Sequence, residues 1–257
     1  MRKWLKRGIS FIGIVLSGSL VLVCIHYFLP LPFFPILDAI SIVVPWLMLG
    51  NFYFFLLCLL MRTRFFLIPL GALLLALSSF GWIYGLTSKN TEVTASSFTL
   101  MSYNVRGFNA VGNYEPKNAG EQIVDFVMQQ DPDIVCFQEF NRTFLSPFKG
   151  YKDWFITPSN TGKSSQAIFS RFPILEAEMI PFPDSYNNAI YVDIQKGRDT
   201  LRVYNIHLES YKIRSLRIIL ANNGMDFLEL LTRVALKHRE QAQLIREHIN
   251  RSPYQVV

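Results

Sequence analysis

Three long apolar stretches occupy the first third of the chain, at about residues 9–29, 40–61 and 65–86. The only Asp, Glu, Lys or Arg residues among them and their connections are Asp38, Arg62 and Arg64. Each stretch is close to the ~20 residues that a helix needs to cross a hydrocarbon core of ~30 Å. The pattern therefore predicts three transmembrane helices within residues 1–88.

A second interpretation of the first apolar stretch is a cleaved signal peptide, because four basic residues precede it: Arg2, Lys3, Lys6 and Arg7. Its apolar part is longer than a usual signal core, and no small-x-small cleavage pattern precedes the next apolar stretch. We therefore expect this helix to be retained.

The basic residues also predict an orientation. Four lie before the first stretch, none lies in the connection at residues 30–39, and Arg62 and Arg64 separate the second stretch from the third. Because short cytoplasmic segments are enriched in Lys and Arg, the N-terminus is expected in the cytoplasm. Three crossings of the lipid bilayer then place everything after residue 88 outside the cytoplasm.

The pattern changes after a polar linker at residues 89–97, which is rich in Ser and Thr. Short apolar or alternating runs then predict strands at 98–104, 134–137, 154–157, 167–170 and 174–180, a hairpin at 189–210, and the start of a strand at 254–257. Helices are predicted after a capping-box-like segment at 118–121, and at 222–250. The initial order of strand, helix and strand predicts an α/β domain, whose ligands gather at the C-terminal ends of the strands.

Glu139 follows the apolar run at residues 134–137, which is too short to span a membrane and has no helical periodicity. This run predicts a strand that is buried on both faces. A carboxylate on a rigid strand end is suited to a hard divalent cation. The alternative interpretation is a glutamate at the start of a solvated loop.

Asn104 emerges at the end of the first predicted strand, because it shares a face with Leu100 and Ser102 by alternation. Its amide can both donate and accept hydrogen bonds, which would orient a metal-bound phosphate or a neighbouring carboxylate. Ordinary turn chemistry is an equally good explanation for an asparagine at this place.

Asn205 and His207 lie side by side at the end of the second hairpin strand, where its inward face changes from apolar to polar. An Asn-x-His pair at a strand end is a candidate catalytic pair, although a lone histidine is more often a satisfied core residue. In the last helix, His238 lies on the apolar stripe and is expected to be structural, whereas His248 is expected to face solvent.

The three cysteines predict no disulfide framework. Cys24 and Cys58 lie within apolar stretches and Cys136 lies in the buried strand, so all three are expected to be small apolar fillers. The net charge of +6 is only weak support for a nucleic-acid partner, because part of it comes from the basic residues that set the membrane topology.

Four segments together resemble the metal-dependent endonuclease/exonuclease/phosphatase superfamily: residues 103–106, 138–139, 167–173 and 204–208. The resemblance covers residues 98–257 and implies an α/β fold, a four-layer α/β/β/α sandwich. It also implies hydrolysis of a phosphoester, with a phosphodiester expected, using Mg²⁺, for which Mn²⁺ could substitute. By position in these motifs, Glu139 is a metal ligand, and Asn104 holds the metal site and its phosphate. His207, assisted by Asn205, faces the scissile phosphate.

The sequence also departs from the superfamily pattern, because it contains neither Gly-Asp-Phe-Asn nor a late Ser-Asp-His segment. Residues 254–257 resemble the strand that leads into the first of these. We therefore expect an incomplete sandwich that contains only the N-terminal portion of the domain. As a fragment of an active parent, this chain is expected to have no useful hydrolase activity. A membrane-tethered, non-catalytic binding or structural module of the same fold is the alternative. The substrate, a phospholipid headgroup or a nucleic acid, is left open.

Overall fold

The computed structural model describes residues 2–29, 37, 39, 41–80, 97–110, 116–211 and 224–257. The chain divides into two compact units: Met1–Thr91 with Tyr211–Leu236, and Glu92–Ser210 with Lys237–Val257. Most of the linker predicted at 89–97, and the end of the third apolar stretch after residue 80, lie outside the described residues.

The apolar stretches form three helices: α1 (Arg2–Phe28), α2 (Val44–Leu60) and α3 (Leu67–Phe80). In the described part of the chain, only α1 contains a segment, Gly8–Phe28, that is long and apolar enough to cross a membrane. The prediction of three spanning helices is therefore corrected: among the described helices, only α1 is long enough to span a membrane. α2 has 17 residues, because a tight turn at Ser41–Val43 precedes it and Pro45 lies in its first turn, where proline favours helix initiation.

The three helices pack around a shared apolar core of Leu20, Val23, Cys24, Val44, Ala72, Ala76 and Phe80. Polar groups also meet inside this unit, where Ser17 Oγ donates to Asn51 Oδ1 over 2.6 Å. Asn51 Nδ2 donates in turn to the Leu47 carbonyl over 2.8 Å. Large apolar side chains nevertheless remain on the outside, including Phe11, Ile12, Trp46, Leu60, Leu67 and Leu74.

The second unit contains two four-stranded sheets. The first consists of β1 (Leu100–Asn104), β2 (Ile134–Gln138), β3 (Asp153–Ile156) and β4 (Gln166–Ser170). Its order is β1-β2-β4-β3, with β1 and β2 parallel. The second consists of β5 (Ile174–Pro181), β6 (Asn188–Lys196), β7 (Asp199–Ile206) and β8 (Gln255–Val256), in that order, with β8 parallel to β7.

The predicted hairpin is confirmed as β6 and β7, which are paired from Ala189 with Ile206 to Lys196 with Asp199. Gly197 begins the two-residue turn with φ at +63°, a conformation that costs glycine little because it has no Cβ. The strand predicted at 254–257 is confirmed as the short strand β8.

The two sheets face each other across an apolar layer of Ile134, Cys136, Ile168, Ile190, Val192, Ile194, Leu201 and Val203. Helix α4 (Ala119–Gln130) covers the outside of the first sheet through Ile123, Val124 and Val127. The end of α5 (Gly224–Asn250) covers the second through Leu244, Ile245 and Ile249. The layers therefore follow the predicted order α/β/β/α.

The outer face of the second sheet holds a polar cluster that the sequence did not predict. Arg202 binds Asp193 with two hydrogen bonds of 2.6 and 2.7 Å, and both side chains are buried. His248 contacts the Tyr204 hydroxyl through Nδ1 at 2.7 Å. The expectation that His248 faces solvent is therefore wrong, because the last turn of α5 packs on β7.

Candidate metal and phosphate site

Three of the predicted site residues lie where strands of the second unit end. Asn104 is the last residue of β1, Glu139 follows β2 directly, and His207 follows β7 directly. Parallel pairing of β1 with β2 puts Asn104 opposite Gln138, the neighbour of Glu139. The two sheets thus bring these three side chains to one edge of the sandwich.

Asn104 and Glu139 are joined directly. Asn104 Nδ2 donates to Glu139 Oε1 over 3.0 Å, and Asn104 Oδ1 accepts from the Arg106 backbone N–H over 3.1 Å. Both polar atoms of the amide are therefore used, one to hold the carboxylate and one to shape the loop after β1.

The backbone on both sides of this contact is strained. Glu139 has φ at +54° and Arg106 has φ at +46°, in the left-handed region that non-glycine residues rarely adopt. The Gly107 N–H donates to the Glu139 carbonyl over 2.8 Å, which ties the two strained segments together. Strain of this kind costs about 1–3 kcal/mol per residue and is concentrated at functional sites, where surrounding contacts maintain it.

The Glu139 side chain is 42% exposed, so its carboxylate is accessible from solvent. One carboxylate that keeps room for several waters fits Mg²⁺, which prefers oxygen ligands and retains much of its hydration. No group of three or more His, Cys, Asp or Glu side chains that could hold a metal occurs in the part of the chain that the structure describes. The accessible Glu139 carboxylate is therefore compatible with a hydrated hard cation.

His207 lies beside this carboxylate, with Nε2 at 3.7 Å from Glu139 Oε1. Its backbone N–H donates to the Asn188 carbonyl over 3.1 Å, and its side chain is 14% exposed. Burial lowers the pKa of His207 below its ordinary value, an effect that the nearby carboxylates of Glu139 and Glu209 oppose. The imidazole is therefore expected to be neutral near pH 7.

Asn205 lies deeper, between the two sheets, and is 1% exposed. Its Nδ2 donates to the Phe137 carbonyl over 2.8 Å, while its Oδ1 accepts from Gln138 Nε2. These contacts join β7 to β2. Among the described residues its hydrogen bonds go to the first sheet and not to the imidazole of His207.

Several polar residues around the site were not singled out from the sequence. Gln138 links Asn205 to Ser102, to whose Oγ it donates over 3.2 Å. Gln166 and Asn188, both fully buried, are joined by a hydrogen bond of 2.7 Å from Gln166 Nε2 to Asn188 Oδ1. A polar amide directly before a run of apolar residues is the sequence feature that could have indicated Gln166 and Asn188.

Glu209 fixes the segment that follows His207. Its backbone N–H donates to Gln241 Oε1 over 3.0 Å, and its carbonyl lies 2.6 Å from His238 Nε2. A carbonyl only accepts, so that nitrogen of His238 carries a proton. The Glu209 carboxylate accepts from Ser185 Oγ over 2.6 Å and lies 3.7 Å from Lys237 Nζ. His238 was predicted to be structural, and its contact is of that kind: it joins α5 to the segment that follows His207.

Comparison with solved structures finds similar but distant chains. D. rerio TDP2, humanized by 14 mutations, matches over 63% of this chain and 59% of its own, with 17% identity and a TM-score of 0.46. A β-hairpin deletion mutant of Staphylococcus aureus beta toxin matches over 63% and 65%, with 21% identity and a TM-score of 0.44. An endonuclease/exonuclease/phosphatase from Beutenbergia cavernae matches over 59% and 44%, with 14% identity and a TM-score of 0.40.

This chain spans 59% of the length of the D. rerio protein. No curated protein matches it. The model of the Endonuclease/Exonuclease/phosphatase family matches residues 101–257, which is more than half of the chain. The protein therefore belongs to the Endonuclease/Exonuclease/phosphatase family.

Proposed function

We propose that the second unit provides the metal-binding and phosphate-binding side of a Mg²⁺-dependent phosphoester hydrolase, with a phosphodiester as the substrate. Mn²⁺ is expected to replace Mg²⁺. The observation that supports this most is the meeting of Asn104, Glu139 and His207 at one sandwich edge, with Glu139 held in a strained backbone conformation.

Each of these residues has a role that follows from its contacts. Glu139 holds the cation, and Asn104 keeps the carboxylate in one orientation. When bound, Mg²⁺ would supply positive charge beside the phosphoryl oxygens, on which negative charge develops in the transition state. His207 presents a neutral imidazole that donates a hydrogen bond to one of these oxygens. Asn205 fixes the distance between the strands that carry Glu139 and His207.

The base that activates the attacking water is not assigned to any residue of this chain. The Gly-Asp-Phe-Asn and Ser-Asp-His segments that would supply late catalytic groups do not occur in its sequence. We therefore expect the 257-residue chain to bind a divalent cation and phosphate, and to hydrolyse phosphodiesters slowly or not at all.

We also propose that the first unit anchors the protein in a membrane. The large apolar side chains on its outside would be poorly compatible with water, and its Ser17–Asn51 hydrogen bond is internal, as is usual for polar groups in membrane helices. In this proposal α1 crosses the bilayer, with the N-terminus in the cytoplasm. A single crossing by α1 puts residues from 97 onward outside the cytoplasm, where a phospholipid headgroup or external nucleic acid is accessible.

Metal binding tests the proposed site directly. Mn²⁺ binding, followed by electron paramagnetic resonance and competed with Mg²⁺, is expected to weaken at least ~10-fold in Glu139→Gln, because the charged ligand is lost. Glu247→Gln is the control, since Glu247 lies in α5 and contacts Gln243. Equal Mn²⁺ affinity in the wild type and Glu139→Gln would remove Glu139 from the site.

Turnover separates the enzyme from the non-catalytic module. The absence of an acidic cluster in the described residues favours considering the module as the second candidate. Bis(4-nitrophenyl) phosphate, single-stranded DNA and sphingomyelin vesicles serve as substrates, each with and without Mg²⁺. Metal-dependent turnover that is lost in Glu139→Gln supports the hydrolase. Binding of these substrates without turnover, in this chain and in any longer natural form of the protein, supports the non-catalytic module.

The topology has its own test. Alkaline phosphatase joined after Lys89 folds only outside the cytoplasm, so the proposed orientation predicts an active fusion. A cytoplasmic reporter at the same position should be inactive. The reverse result would overturn the orientation without affecting the metal site.

A further inference from the structure

Ser164 is a buried residue next to His207. Both polar groups of the Ser164 backbone, the N–H and the carbonyl, are hydrogen-bonded. Its N–H donates to the Tyr186 carbonyl over 2.8 Å. Its carbonyl accepts from Asn188 Nδ2 over 2.7 Å, and Asn188 is itself held by Gln166. Ser164 is 4% exposed. With its peptide groups fixed in this way, its hydroxyl has few positions available.

The Ser164 hydroxyl faces the inner nitrogen of the histidine, with Oγ 3.4 Å from His207 Nδ1. In the part of the chain that the structure describes, this nitrogen is the only hydrogen-bond partner of Oγ. If the hydroxyl accepted a hydrogen bond from an Nδ1–H group, its own O–H would have no acceptor in a nearly closed site. The satisfied arrangement has the hydroxyl donating and Nδ1 accepting.

The outer nitrogen of His207 has the opposite kind of neighbour. Its Nε2 lies 3.7 Å from Glu139 Oε1, and a carboxylate oxygen attracts an N–H group and repels a lone pair. A donor at Nδ1 and an acceptor near Nε2 both favour the neutral tautomer that carries its proton on Nε2. The choice of tautomer is thus set by what the other nitrogen contacts.

We propose that Ser164 is a positioning residue that holds neutral His207 as the Nε2–H tautomer. The ring then directs an N–H group, and not a lone pair, toward the place where Glu139 would hold its cation. That this N–H group donates a hydrogen bond to a phosphoryl oxygen of the substrate rests on the proposed function. The part that concerns the tautomer does not depend on hydrolysis.

Nitrogen-15 NMR of the imidazole rings tests this inference in the whole chain in detergent micelles, without metal or substrate. At about pH 8, above the ordinary imidazole pKa of about 6.5, the wild-type ring should show a protonated Nε2 and an unprotonated Nδ1. His207→Gln identifies the signals among the four histidines. Ser164→Ala should move both nitrogen shifts toward a mixture of tautomers, and Ser164→Thr should restore the wild-type pattern.

Ser165→Ala is the matched control, because the adjacent Ser165 hydroxyl is also buried but has no hydrogen-bond partner in the described structure. It should leave the His207 signals unchanged. If Ser164→Ala does not fold, Ser164→Cys retains the shape with a weaker donor and should shift the same signals in the same direction. A protonated Nδ1 in the wild type, or a wild-type tautomer in folded Ser164→Ala, would overturn the inference.

The NMR measurement and the Mn²⁺-binding test together separate this inference from the proposed function. A tautomer that depends on Ser164, in a protein whose Mn²⁺ affinity is unchanged in Glu139→Gln, would support the positioning and contradict the proposed metal site. Mn²⁺ binding that weakens in Glu139→Gln, with a tautomer indifferent to Ser164, would do the opposite.

Discussion

Asn104 donates a hydrogen bond through Nδ2 to Glu139 Oε1 over 3.0 Å, which joins the end of β1 to the residue that follows β2. The contact uses one carboxylate oxygen and restricts rotation of the whole group. Because the Asn104 Oδ1 is bound to the Arg106 N–H, the amide cannot flip without losing both interactions. The orientation of the proposed metal ligand is therefore fixed by a residue on the neighbouring strand.

Replacing Asn104 with alanine should weaken metal binding although Glu139 is retained. Loss of a residue that orients a metal ligand typically costs about 10–100-fold in affinity. We expect Asn104→Ala to weaken Mn²⁺ binding by roughly 10-fold, measured by isothermal titration calorimetry. Asn118→Ala is the control, because the Asn118 side chain contacts Gln122 at the start of α4. An unchanged Mn²⁺ affinity in Asn104→Ala would show that the carboxylate needs no such support.

Replacing Asn205 with alanine should destabilise the second unit. The change removes the hydrogen bond that the buried Phe137 carbonyl accepts from Asn205, and it leaves the Gln138 amide nitrogen with only its bond to Ser102 Oγ. A buried polar group left unsatisfied costs roughly 1–3 kcal/mol. We expect the free energy of unfolding in urea, measured in detergent micelles, to fall by at least about 1 kcal/mol. Asn118→Ala again serves as the exposed comparison, and equal stability of the two variants would contradict the role of Asn205 as a tie between sheets.

The histidine of the site makes stability depend on pH. Burial lowers the pKa of His207 below 6.5, although Glu139 and Glu209 oppose the shift. Below pH 6.5 the unfolded chain therefore takes up a proton that the folded chain does not, so stability falls as the pH drops and levels off below the folded pKa. Proton NMR titration of His207 should give a midpoint under 6.5, and a lower one in Glu139→Gln.

His207→Gln should flatten this part of the dependence of unfolding free energy on pH. A remaining slope of the same sign is expected from His248, whose pKa is lowered mainly by burial and also by Arg202. A titration midpoint above 6.5 for His207 in the wild type would contradict the prediction.

Gly13 is required for close packing of α1 on α2. A Cβ built at this position would lie 1.9 Å from Phe54 Cζ, so even alanine forces the aromatic ring or the helix to move. Overpacking of this kind typically costs about 1–3 kcal/mol. We expect Gly13→Ala to lower the thermal midpoint of the protein in detergent micelles. Gly18→Ala should not lower it, because nothing lies within 4 Å of its added Cβ.

The parts of the fold that follow from local pattern were predictable from sequence. Short apolar runs gave the strands, and the Lys196–Asp199 turn gave the hairpin. Asn104 and Glu139 could be expected to meet because each lies at the C-terminal end of a strand in an α/β unit, where ligands gather. His207 could be expected beside them only from the family resemblance. Their roles remain predictions.

Other features depend on contacts between distant segments, which periodicity does not encode. Alternation placed Asn205 on the inner face of β7, but it could not show that the amide binds Phe137 and Gln138 in the opposite sheet. The partnership of Ser164 with His207 joins residues 43 positions apart. Apolar composition also did not show that α2 begins only at Val44. The tight turn at Ser41–Val43 that precedes α2 is as apolar as the helix, so only the backbone conformation distinguishes the two.

The placement of Glu139 after a strand of the first sheet, and of His207 after a strand of the second, gives the apolar interior an additional meaning. Ile134, Ile168, Val192 and Val203 pack between the two sheets, so the thickness of this layer contributes to the separation of the carboxylate and the imidazole, which is 3.7 Å from Glu139 Oε1 to His207 Nε2. Since close-packed interiors transmit strain, one methyl group gained or lost in that layer would widen or narrow the proposed metal and phosphate site. The packing of this core is thus expected to influence the width of the proposed site.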